Sequence, residues 1–133
     1  MSMTASVPRN RTTPFFVATA VMEAGAGVAL LVAPTLVIAL LVAGPVTEAH
    51  VALGRLAGAA LLSLGVACWW ARADAASAAS RALVVAMCVY NAAVIAVVLA
   101  GSFGSPSRPI LLAAVLLHGA MAAWCVSLLR SGR

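Results

Sequence analysis

Glu23, Arg55, Asn91 and His118 are the residues of this chain best placed to do chemistry, because each falls inside a long apolar run. Holding such a group away from water costs on the order of several kcal/mol unless it is paired. A carboxylate and a guanidinium can pair in bidentate fashion, and an amide or imidazole can complete the hydrogen bonds around them. Each of the four apolar runs supplies one of these residues. At about 1.5 Å per residue, Glu23 lies about 12 Å and Asn91 about 14 Å from the inner edge of their runs. His118 lies about 13 Å from the outer edge, and Arg55 roughly 10 Å from it. The vertical gap from Arg55 to Glu23 is then roughly 8 Å, which a leaning guanidinium stem closes. The expected arrangement is a buried Glu23–Arg55 ion pair with His118 and Asn91 sharing its network. Such a network either locks helices in register or forms a site that binds or moves something, and both readings stay open.

The composition sets the elements that must carry these residues. Of 133 residues, 65% are hydrophobic and 8% charged, with a mean hydropathy of +1.13. Eight basic and three acidic side chains cannot solvate a 13.3 kDa globule. That excludes a soluble enzyme, a disordered regulator and a secreted disulfide scaffold. Four runs, at about 15–33, 48–71, 82–100 and 109–129, each approach the ~20 residues that cross a hydrocarbon core. The fold expected is all-α: residues 1–133 form one integral-membrane domain, a four-helix transmembrane bundle with short connections and antiparallel neighbours. An unbroken helix from 15 to 43 would be about 43 Å long, so Pro34 is expected to break it. Residues 35–43 then form a short helix at the outer face.

Orientation follows from arginine. Arg9, Arg11, Arg72, Arg81, Arg130 and Arg133 fall on the side of the termini, against Arg55 and Arg108 on the other. The positive-inside rule then predicts a multi-pass inner-membrane protein with both termini cytoplasmic. Trp69, Trp70 and Trp124 fall near the inner ends of their runs, where interfacial aromatics belong. The sequence pI of 10.6 reflects this topology. No basic cluster sits on a soluble face, so nucleic acid is not an expected partner.

The remaining polar and sulfur residues read more plainly. His50, close to Glu48, is expected at the outer interface. Haem ligation by His50 and His118 would require both imidazoles at one level, and their depths differ by about 10 Å. Cys68, Cys88 and Cys125 form no C-x-x-C and are read as small buried hydrophobes, with no disulfide. Cys88 shares a helical face with Asn91, and Cys125 with His118, so either thiol could stand beside the cluster. A zinc site is not expected, since His118 is about 7 Å too deep to meet the cysteines. Gly54-x-x-x-Gly58 with Gly65 allows close helix approach, or homodimerisation, and Gly25 and Gly27 offer the same in the first span. Nucleotide, nucleophile-elbow and zincin motifs are lacking.

The stretch GVALLVAPTLVIALLVAG followed by LGRLAGAALLSLGVACWWAR resembles small bacterial four-helix membrane proteins of the DoxX-like type. The resemblance covers residues 25–72 and rests on Pro34, Arg55, Gly58 and Gly65. It implies a membrane partner of oxidoreductases or sulfur metabolism, and transfers no catalytic motif to Glu23, Asn91 or His118. A glutamate midway along the first span is also similar to small multidrug exporters, but a paired Glu23 could not exchange a proton for a cation, and that family's aromatic lining is missing. The leading reading is thus an accessory or ligand-binding membrane subunit, in contact with lipid and with a partner helix or second copy. No cofactor is demanded, while a quinone-like ligand or a haem is compatible. The alternatives are a proton-coupled transporter using Glu23 and His118, or a small intramembrane enzyme with His118 as acid or base.

Overall fold

The computed structural model describes residues 11–42, 44–101 and 109–131. Its elements are α1 (Thr12–Val32), α2 (Pro34–Leu41), α3 (Glu48–Ala71), a 3-10 turn (Arg72–Asp74), α4 (Ala78–Gly101) and α5 (Pro109–Ser131). Four of these helices are long and apolar enough to cross a membrane, which makes the chain an all-α, multi-pass bundle. Arg9, Arg108, Arg133 and the connection after α4 lie outside the described residues.

α1 starts at Thr12, ahead of Pro14, because a proline in the first turn forfeits no intrahelical hydrogen bond. It buries a stripe of Phe15, Phe16, Thr19, Ala20, Glu23 and Gly27, spaced three and four residues apart as one helical face requires. The helix ends at Ala33, whose φ of −131° and ψ of 54° leave the helical region. Pro34 is the cause: its ring disfavours helical geometry in the preceding residue, yet it fits the first position of the next helix. The short helix expected after Pro34 is therefore present as α2, and its Ile38 packs into the surface of α3 at Gly54. Gly44, with a φ of +129°, makes the turn that follows.

α3 opens on a reciprocal cap in which the Thr47 hydroxyl accepts from the His50 N–H and the His50 ring accepts from the Thr47 N–H. Its buried face is small: Gly54, Gly58, Gly65 and Cys68. A Cβ at Gly27 would stand 2.6 Å from the Leu62 nitrogen and 2.7 Å from the Gly58 oxygen, so the α1 and α3 backbones touch. α4 begins four residues earlier than its hydropathy suggests. Ser80 donates to the Asp74 carbonyl at 2.7 Å, tying the helix start to the turn before it.

α1 packs most extensively on α3, and α4 on α5. Between the two pairs the backbones stand farther apart, and large side chains fill the space. Phe15 of α1 meets Trp124 of α5 edge-on at 5.6 Å. The shared core is Phe15, Phe16, Ala20, Cys68, Val84, Met87, Met121 and Cys125, all in the half of the bundle that carries the termini. In the far half, no described residue of α4 beyond Asn91 or of α5 before Met121 is buried, while α2 reaches across to α5.

Candidate functional site

One turn above the apolar core, three helices present polar groups at a common level. Glu23 follows Ala20 by three residues, Asn91 follows Met87 by four, and His118 precedes Met121 by three on the oppositely running α5. Glu23 is 4% exposed and Asn91 1% exposed. The layer is thus the polar lid of the packed half.

Its hydrogen bonds connect in two pairs. The Tyr90 hydroxyl donates to Glu23 Oε2 at 3.2 Å, bridging α4 to α1. His118 Nδ1 and Asn91 Oδ1 are 2.7 Å apart, bridging α5 to α4. Asn91 Nδ2 donates to the Met87 carbonyl at 2.7 Å, so Oδ1 is the accepting atom and Nδ1 of His118 carries the proton. The neutral imidazole then turns a lone pair on Nε2 toward whatever enters. The Tyr90 and His118 rings meet edge-on at 5.7 Å, which joins both pairs into one cluster.

The structure brings Glu23, Asn91 and His118 to one level and leaves Arg55 out. Among the described residues no ion pair joins Glu23 to Arg55, and the Arg55 side chain is exposed. The reason is register. Gly65 faces Ala20 and Ala24, and Gly58 faces Gly27 and Leu30, so the α1–α3 alignment is fixed by backbone contact. In that alignment Arg55 stands level with the end of α1, about 15 Å above Glu23 at ~1.5 Å per residue. The expected gap of roughly 8 Å assumed that all helices start at one edge. Instead, the first turns of α3 overshoot α1 to pack on α2. The Cα–Cβ bond of Arg55 also tilts toward the start of α3, away from Glu23.

Tyr90 takes the place given to Arg55, and sequence reasoning passed over it. It is the chain's one tyrosine, it sits in mid-span rather than at an interface, and it neighbours Asn91. A phenol at that depth requires a hydrogen-bond partner, which was the available signal.

His50 is occupied in the α3 cap, its ring also 3.0 Å from the Thr47 hydroxyl, far from His118 along the bundle. The cysteines are free thiols; Cys68 and Cys125 lie in the core below the layer and Cys88 is half-buried. Among the described residues no three His, Cys, Asp or Glu side chains are grouped to hold a metal ion. Thr19, one turn below Glu23 on the same face, buries its hydroxyl with no hydrogen-bond partner among the described residues.

Three atoms of the cluster thus keep hydrogen-bonding capacity that the described residues do not use: Glu23 Oε1, His118 Nε2 and Thr19 Oγ1. A protonated carboxyl supplies a donor, and the imidazole Nε2 an acceptor. The arrangement suits a ligand offering one of each. Comparison of the chain with protein-family models, with curated proteins and with solved structures gave no match.

Proposed function

We propose that this multi-pass protein holds a small lipid-soluble ligand with its polar group against the Glu23–Tyr90–Asn91–His118 layer. The observation that carries the reading is Glu23: a buried carboxyl in mid-span whose partner is a phenol rather than a cation. A purely structural pair would have satisfied both of its oxygens, as bidentate arginine does. Beside it, the open Nε2 of His118 offers the complementary acceptor. A quinone-like ring, carrying carbonyls that accept or hydroxyls that donate, matches this donor and acceptor set. The resemblance of residues 25–72 to DoxX-like proteins points toward the same redox setting and an accessory role there. The arginine distribution supports placement in a bacterial inner membrane with cytoplasmic termini.

A second reading is favoured by the same carboxyl. With no cation beside it among the described residues, Glu23 is free to exchange a proton for a cationic substrate, which the expected arginine pairing would have forbidden. Proton release on adding a hydrophobic quaternary ammonium ion would separate this reading from the first.

The test is titration of the detergent-purified chain with a short-chain benzoquinone, followed by tryptophan fluorescence. Saturable quenching is expected, with affinity about tenfold lower in Glu23→Gln and in His118→Leu, the loss of about one buried hydrogen bond. Unsaturable quenching, or titrations of both variants identical to that of the wild type, overturns the reading.

A further inference from the structure

Arg55 has no ion pair or hydrogen bond among the described residues, yet it is not a stray surface charge. It lines a cavity of about 300 Å³ between α2 and the first turns of α3, shared with Thr35, Thr47 and Glu48 and walled by Val46 and Val51. The cavity lies about three helical turns from the Glu23 layer and is independent of it.

Its depth can be placed against the membrane. At the other end of α3, Trp69 and Trp70 are exposed, and the Arg72 guanidinium lies 3.6 Å over the Trp69 ring. That pairing of indole and cation marks a membrane interface. From Trp70 to Arg55 is about 22 Å along the helix, so in a hydrocarbon core about 30 Å thick the Arg55 backbone sits several ångströms inside the far boundary. Its side chain tilts toward the helix start and carries the charge up to that boundary. Glu48 lies seven residues farther out, about 10 Å along the axis, among headgroups and water.

The cavity therefore presents a cation at its inner end, at the depth of lipid phosphates, and an anion farther out, with the Thr35 hydroxyl and the apolar side chains of Val51 and Ala52 also lining it. That order is the complement of a zwitterionic phospholipid seen from the bilayer: glycerol, then an anionic phosphate, then a cationic ammonium. The start of α3 adds little of its own, because Thr47 and His50 cap each other. We propose that this cavity binds the phosphoethanolamine headgroup of a phospholipid in the leaflet opposite the termini. Arg55 and the Thr35 hydroxyl hold the phosphate, and Glu48 holds the primary ammonium. Arginine suits phosphate because its planar fork can donate two parallel hydrogen bonds.

The test uses the full chain in mild detergent, with retained lipid read by native mass spectrometry and binding by thermal shift. The ligands are phosphatidylethanolamine, phosphatidylglycerol, soluble phosphoethanolamine and inorganic phosphate. Phosphatidylethanolamine is expected to bind best. Arg55→Gln should weaken both lipids about tenfold, and Arg55→Lys should restore part of the loss. Glu48→Gln should lower phosphatidylethanolamine to the level of phosphatidylglycerol. Equal retention by wild type and Arg55→Gln overturns the proposal, as does preference for phosphatidylglycerol. Displacement of the lipid by an equal concentration of free phosphate or phosphoethanolamine overturns the lipid as the source. Should Arg55→Gln fail to fold, the Arg55→Lys and Glu48→Gln arms decide the same question.

Discussion

At the scale of residues, Glu23 and Tyr90 form the coupled pair, and Glu23 and Arg55 do not. The expected double-mutant cycles differ accordingly. Thermal unfolding in detergent should give Glu23→Gln and Arg55→Gln additive effects, with an interaction below about 0.5 kcal/mol. Tyr90→Phe should cost about 1–3 kcal/mol, because it strips a buried carboxyl of its donor, and should couple to Glu23→Gln. A large Glu23–Arg55 interaction would mean that the helix register is wrong. Glu23, Asn91 and His118 were legible in the sequence because polar groups are conspicuous within apolar runs. Which of them meet was not legible. Depth along each helix can be counted, but the offset of α3 against α1 is set by Gly27, Gly58 and Gly65 meeting through backbone atoms. Tyr90 was hidden for another reason: a phenol among valines reads as one more apolar side chain until its hydroxyl is followed to a partner.

At the scale of elements, the seam between α1 and α3 is the least forgiving contact. A methyl group at Gly27 meets Leu62 and Gly58 backbone, whereas one at Gly25 meets open space. Gly27→Ala is therefore expected to lower stability by about 1–3 kcal/mol through forced helix separation, while Gly25→Ala leaves it unchanged or slightly raised. Melting temperatures of the two variants, measured side by side, check this. The break at Pro34 was readable because it follows from one ring and one carbonyl, both local. The start of α4 was not, since Ala-Ser sequence is equally at home in a loop; Ser80, reaching back to the Asp74 carbonyl, decides it.

At the scale of the whole molecule, an even number of spans places the turn at Arg72–Asp74 on the side of both termini and the α2–α3 connection on the other. A cysteine at Ala76 should react with an impermeant maleimide from the terminus side, and one at Gly44 from the opposite side. Native thiols interfere little, as Cys68 and Cys125 are fully buried and the half-buried Cys88 lies within the α4 span, which an impermeant reagent does not enter. Labelling of both positions from one side would exclude four spans. The two helix pairs differ in how they are joined: α1 and α3 share a glycine seam, α4 and α5 share the Asn91–His118 bond, and Tyr90 to Glu23 is a side-chain link between the pairs at mid-span. Because the chain has a single tyrosine, that link carries its own label. Protein grown on tyrosine labelled at Cζ alone would give one carbon resonance and one phenolic C–O vibration, both sensitive to whether the hydroxyl donates. Any event that slides one pair against the other, or fills the space beside Glu23, is thereby recorded at one atom in an otherwise silent spectrum.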